Sequence, residues 1–242
     1  LKTHKKVGLT CSLKNLVGIN GDKNWLPHFT EGSPEVGGDE YRDESFATRF
    51  ERVVKKFGQK IALRFPTFGT FLFRKMRNAG KKVLGDSDCS IRNGNWRGND
   101  TCWRMVLDLN RALLFGNPDG TWREGFNAKR YMTIIDGVIG GEGNGPLCPD
   151  PVPSHVMVAG DNPAAVDAVA ARLMNFKPTD IPLIVHSFEP HRWTVAQGTL
   201  DAIMVEDGRV GKTISLTEVA PAVLGGFKPH FGWPHLNPTK KA

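Results

Sequence analysis

Apolar positions are sparse and irregular at the start of the chain and become periodic only past residue 42. Residues 7–19 (VGLTCSLKNLVGI) follow a polar opening and read as a short helix rich in small side chains. Residues 20–42 are dominated by Gly, Asn and Asp, with Pro27 and Pro34, and predict loop. From Asp43 onward, Phe46, Phe50, Val53 with Val54, Phe57 and Ile61 recur at steps of three to four, with basic residues between them. This spacing predicts an amphipathic helix that Pro66 stops. Phe68, Phe71, Leu72, Met76 and Val83 predict a second helix to about Leu84, and residues 85–99 a loop. Asp100 or Thr101 then caps a third helix with Trp103, Val106, Leu107, Asn110, Leu113 and Leu114 on one face. Gly116-Asn117-Pro118-Asp119-Gly120 ends it.

The second half alternates differently. Tyr131–Val138 and His155–Ala159 are compact apolar runs that predict strands. Asn162 and Pro163 supply a cap and a first-turn proline for a helix to about Met174, and a further helix is expected from Asp180 to His186. Asp207-Gly208-Arg209 reads as the turn of a hairpin between Leu200–Glu206 and Lys212–Leu216. This order predicts an α/β fold: a partial mixed sheet with flanking helices and a helical, basic insertion at about 43–116.

Composition narrows the class. With 40% hydrophobic and 24% charged residues the chain has the balance of a globular domain, and no apolar run reaches the length of a spanning helix. The cysteines at 11, 89, 102 and 148 contain no C-x-x-C pair, so a zinc ribbon or an iron–sulfur cluster held by this chain is not expected. Without a secretory h-region, a cytoplasmic location is favoured. The opening Leu1-Lys2-Thr3-His4 looks like the end of a strand, which leads us to expect a preceding N-terminal half in the same protein. An apolar sheet edge or face should then be open around Tyr131–Val138.

Charge is uneven. The net charge is +7, yet between Asp43 and Leu84 eleven basic residues stand against three acidic ones, so the excess belongs to that segment. Its apolar face is expected to cover the domain, with Phe50 buried. The alternatives are contact with an anionic membrane surface through 43–84, or with a polyanion. No specific nucleic-acid motif supports the last.

Candidate chemistry clusters at three places. Lys2, His4, Lys14 and Asn15, with His28 downstream, combine cations with a group that titrates near neutrality. That suits a small anionic ligand and proton transfer, with His4 and Lys14 as catalytic candidates and Lys2, Asn15 and Arg104 as binding candidates. The loop Gly140-Gly141-Glu142-Gly143-Asn144-Gly145-Pro146 lets a ligand approach main-chain donors, above all at Gly143, Asn144 and Gly145. Because prolines follow and no helix opens there, a nucleotide pyrophosphate site is not the first reading. Asp136, Glu142 and Asp161 are candidate ligands for a divalent metal, although Asp161 also reads as a plain helix cap. The run Asn95-Trp96-Arg97-Gly98-Asn99-Asp100-Thr101 is expected to be pinned by its own Asn and Asp hydrogen bonds.

Taken together, several motifs resemble a known family. They are Lys2-Thr3-His4 through Ser12-Leu13-Lys14-Asn15-Leu16-Val17-Gly18, Gly98-Asn99-Asp100-Thr101 through Asp108-Leu109-Asn110-Arg111, and Ile135-Asp136-Gly137 with Gly143-Asn144-Gly145-Pro146. Gly160-Asp161-Asn162-Pro163-Ala164, Val166-Asp167-Ala168 and the tail Phe227 to Gly232-Trp233-Pro234-His235 complete the set. They resemble the bacterial and archaeal domain of unknown function 362 (DUF362) over nearly the whole chain. The resemblance implies no agreed reaction. It implies a preceding α/β half, and for some relatives a ferredoxin-type cluster whose cysteines this chain lacks. The spacing of His4 and Lys14 is also similar to a His…Lys pair in nickel-pincer lactate racemases, though the residues between do not follow that pattern. The expectation is an enzyme acting on a small anionic metabolite through a Lys/His/carboxylate site. The alternative is a non-catalytic binding or redox-partner module that docks through residues 43–84.

Overall fold

The computed structural model describes residues 1–23, 25–65, 90–124 and 129–240. The helix expected over 68–84 lies outside them. Elements in chain order are β1 (Thr3–His4), β2 (Gly8–Leu9), α1 (Ser12–Ile19), α2 (Phe46–Arg64), α3 (Cys102–Phe115), β3 (Thr133–Glu142), β4 (Asp150–Gly160), α4 (Pro163–Leu173), α5 (Pro182–Val185), β5 (Met204–Asp207) and β6 (Lys212–Ser215). The chain divides into two compact units, one formed by Leu1–Pro27 with Cys102–Ala242 and the other by His28–Thr101. The expected insertion reached to 116, but α3 packs on α1 and belongs to the first unit.

The first unit has an α/β architecture. Among the described residues its sheets are antiparallel pairs, β1 with β2, β3 with β4 and β5 with β6. A parallel bridge between Lys2 and Gly141 adds a third backbone to the edge of β3. Helix α1 lies against α3 and α4, and α4 against β4. Leu9, Leu13, Val106, Leu107, Ala170 and Phe227 fill the space between them. Residues 7–11 do not join α1 as expected. Gly8 has a φ of +83°, and a Cβ there would press on Leu236 and Trp233, so glycine is the residue that fits and the backbone runs extended through Leu9. The Trp233 indole donates to the Lys5 carbonyl at 2.9 Å, which fastens the C-terminal tail to this opening hairpin.

Strands β3 and β4 are longer than the apolar runs suggested, because β4 continues through Pro151 and Pro153. A proline nitrogen can stay in a strand when it faces the open edge. Thr133 pairs with Gly160 and Glu142 with Asp150, with a bulge between Gly137 and Ile139. Opposite the bulge, His155 takes a φ of +51° and the Ser154 hydroxyl donates to the Gly137 carbonyl at 2.7 Å.

In the second unit, Asp39 organises the aromatic loop. Its carboxylate accepts from the N–H groups of Thr30, Asp100 and Thr101 at 2.6–2.8 Å, and its carbonyl accepts from the Trp96 indole. Asn95 and Asn99 tie the same loop to neighbouring carbonyls, as the sequence suggested. Helix α2 starts at Ser45, whose hydroxyl accepts from Thr48 N–H while the Thr48 hydroxyl accepts from Ser45 N–H.

The orientation of α2 overturns an expectation. Its ionic face, not its apolar face, is turned inward. Arg52 pairs with Glu44 at 2.7 Å, Lys55 with Glu40 at 2.5 Å and with Glu51 at 3.1 Å, and Arg92 with Glu51 at 2.8 Å. Phe46, Phe50 and Phe57 stand 87%, 59% and 61% exposed. Acids outside the helical pattern, Glu40 and Glu44, decide which side packs.

Candidate functional site

The site begins at the N-terminus of α1, where the first N–H groups need acceptors. Cys11 occupies the cap position but makes no side-chain cap. Asp167, a lone carboxylate in the Ala- and Val-rich α4, reaches across instead and accepts from Ser12 N–H at 2.6 Å and Leu13 N–H at 3.2 Å. Asn110 on α3 fastens the same helix by donating to the Leu13 carbonyl at 3.0 Å. The start of α1 is therefore set by two partners far away in sequence.

Between this helix start and β3 lies a cavity of about 420 Å³. Lys2, Cys11, Ser12, Asn15, Asp136 and Gly140 are among its walls. Ser12 is 3% exposed and its hydroxyl has no hydrogen-bond partner. Lys2 is held at the rim by its backbone, which accepts from Thr10 N–H at 2.8 Å and bridges to Gly141. Burial, reinforced by the Asp167 carboxylate, pushes the Cys11 thiol up to about 12. It is a neutral thiol at physiological pH and not an activated nucleophile. Burial likewise pushes the Asp167 carboxyl up to about 7, outweighing the two N–H donors that favour its charged form.

The candidates from the sequence divide into those this cavity gathers and those it does not. Lys2, Asn15 and Asp136 line it. His4 and Lys14 are both buried but are not part of its wall. The His4 Nδ1 accepts from Lys6 N–H at 3.1 Å, which leaves the proton of the neutral ring on Nε2. Burial lowers the Lys14 ammonium from its ordinary value, with Cys102 opposing the shift. Gly143 and Gly145 pack against the opening hairpin instead, while Asn144 between them is exposed and its carbonyl accepts from Cys148 N–H. The Gly143 carbonyl accepts from the Thr3 hydroxyl, its N–H donates to Lys228, and the Gly145 carbonyl accepts from Lys5 N–H. A Cβ on Gly145 would collide with the Thr3 carbonyl, so this glycine serves chain packing. Arg104 lies over the Trp103 ring at 4.3 Å, and that ring stacks on His186 at 4.0 Å. The His28 carbonyl accepts from Asn99 within the second unit.

The three carboxylates do not converge. Asp136 borders the cavity, whereas Glu142 accepts from Lys228 N–H at 2.7 Å at the far end of β3. Asp161 follows β4 at the other end, by a second cavity of about 390 Å³ with His191 and Arg192 in its wall. Nine strand positions separate the two ends, about 30 Å at the usual rise per residue. Among the described residues no group of three His, Cys, Asp or Glu side chains is placed to hold a metal.

Cys11 and Ser12 are site residues the sequence reading missed. The available signal was Asp167 itself, a carboxylate in the middle of an apolar helix that needed a buried partner.

Fold and cavity define an α/β protein with a polar pocket at a helix start beside a strand. The family model described as "Domain of unknown function (DUF362)" matches residues 1–172, and the chain belongs to that family. No curated protein and no solved structure matches it.

Proposed function

We propose that this protein binds a small anionic metabolite in the cavity between α1 and β3. The observation that carries the reading is the meeting of Lys2, Asn15 and Asp136 in one cavity wall beside the first turn of α1. In this reading Lys2 neutralises the anionic group, Asn15 donates a hydrogen bond, and Asp136 accepts from a hydroxyl or amine elsewhere on the ligand. Leu1, Ile135 and Ile139 supply the apolar part of the wall. The geometry supports binding better than turnover, since His4 and Lys14 stand outside the wall and the Cys11 thiol is held neutral.

The test is a thermal-shift screen of small carboxylates and phosphates, followed by titration calorimetry of any hit. Lys2→Met should weaken binding at least tenfold, and Asn15→Ala several-fold, without lowering the ligand-free melting temperature. A screen without hits, or a hit whose affinity ignores both substitutions, would overturn the proposal.

A further inference from the structure

Helix α2 presents an unusual combination: its ionic side is packed and its apolar side is open. Phe46, Phe50, Val53 and Phe57 fall at i, i+4, i+7 and i+11, so they form one stripe along a single face. The stripe covers eleven steps of helix, about 16 Å, and all four side chains are exposed. The helix cannot turn its apolar side inward instead, because its ionic side is already committed there. Glu40, 1% exposed, holds Lys55, which also receives Glu51 and donates to the Tyr41 hydroxyl at 3.1 Å. Arg52 is bound twice by Glu44.

The remaining bases border the stripe. At 100° per residue, Lys56, Arg49 and Lys60 fall along one flank and Arg64 continues the stripe beyond Phe57. All four are exposed. Arg49 and Lys56 reach acids only at 3.9 and 3.7 Å, in pairs open to solvent and screened by salt. A face of phenylalanines edged by exposed bases complements a surface that is apolar below and anionic above. We infer that α2 lies flat on an anionic phospholipid bilayer, with its Phe stripe in the interface and Arg49, Lys56, Lys60 and Arg64 at the headgroups. The contact is peripheral: among the described residues no helix is long and apolar enough to cross a membrane.

Co-sedimentation with vesicles tests this directly. Phosphatidylcholine vesicles are compared with vesicles containing a quarter phosphatidylglycerol, at low and high salt. Binding should be at least tenfold stronger to the anionic vesicles and should fall steeply with salt. The Phe50→Ser/Phe57→Ser variant should lose at least tenfold while keeping its melting temperature, because both side chains are exposed in the free protein. Arg49→Ser/Lys60→Ser should weaken binding and flatten the salt dependence. No preference for anionic vesicles, or binding that survives the phenylalanine substitutions, would overturn the inference. So would a concentration-dependent dimer abolished by Phe50→Ser, since the stripe would then be covered by a second copy of this chain.

Discussion

Asp167 and His230 show how single buried groups set the response of the first unit to pH. Burial pushes the Asp167 carboxyl up to about 7, against about 3.9 in an unfolded chain, so the native state holds the extra proton between those values. Its contribution to stability is present at acid pH and declines as pH rises from about 4 through 7. His230 works in the opposite direction. Burial, aided by Lys5, pushes it down to about 4, against about 6.5 unfolded, and its Nδ1 accepts from Gly232 N–H at 3.0 Å. Its contribution is present above about 6.5 and is lost as pH falls toward 4. The two windows overlap and oppose, so these groups together should give a shallow dependence between pH 4 and 6.5. Urea unfolding across that range should separate them. His230→Asn keeps an acceptor for Gly232 and should make stability fall more steeply with rising pH. Asp167→Asn should make it rise with pH and cost about 1–3 kcal/mol near neutrality, because Leu13 N–H loses its acceptor. Unchanged slopes in both variants would refute this assignment. At this scale the sequence showed residue types without their partners. Lys2, Asn15 and Asp136 were legible as polar groups of the opening segment and of an apolar strand, and the cavity gathers them. The bond from Ser12 to Asp167 spans 155 positions, and no local pattern encodes it.

At the scale of elements, periodicity identified α2 and α3 and the cap of α4, because those signals are local. The Asn162 side chain accepts from Ala164 and Ala165 N–H, both at 3.1 Å, and Asn162→Ala should cost about 1 kcal/mol in urea unfolding. Periodicity could not say which way α2 faces. A stripe of phenylalanines ordinarily turns inward, but Glu40 and Glu44 lie in the preceding loop and capture the basic side instead. Two substitutions distinguish these orientations. Phe50→Ser should change stability by no more than about 0.5 kcal/mol, as for an open surface position. Glu40→Gln should cost about 1–3 kcal/mol, since Lys55 loses its most buried partner but keeps Glu51 and some solvent. A large loss from Phe50→Ser with none from Glu40→Gln would mean that the helix packs by its apolar face after all.

At the scale of the molecule, the β3–β4 pair depends on what packs against it. Two strands alone are marginal in water, and this pair relies on α4 packed against β4 for support. Its inward positions, Ile135, Gly137, Val152 and Ser154, are buried, whereas Met132, Ile134, Val138, Ile139 and Met157 are exposed large apolar side chains. Ile134 pairs with Ala159 and Asp136 with Met157, so Ile134 and Met157 share one outer face. The open apolar surface expected around Tyr131–Val138 is thus present and extends across the pairing onto β4. Sequence alternation revealed the apolar positions, but the bulge at Gly137–Ile139 changes the phase, which is why Val138 and Ile139 are exposed in succession. Such a face should bind a fluorescent hydrophobic dye in the native state. Met157→Ser and Ile134→Thr should each lower dye fluorescence while moving the melting temperature by no more than a few degrees, as befits exposed positions. The α2 stripe is a second apolar surface, and the Phe50→Ser/Phe57→Ser variant removes its share. The two losses should add, because the residues belong to separate compact units. Dye binding that persists unchanged after Met157→Ser and Ile134→Thr would show that this face is covered in solution, and would refute the prediction.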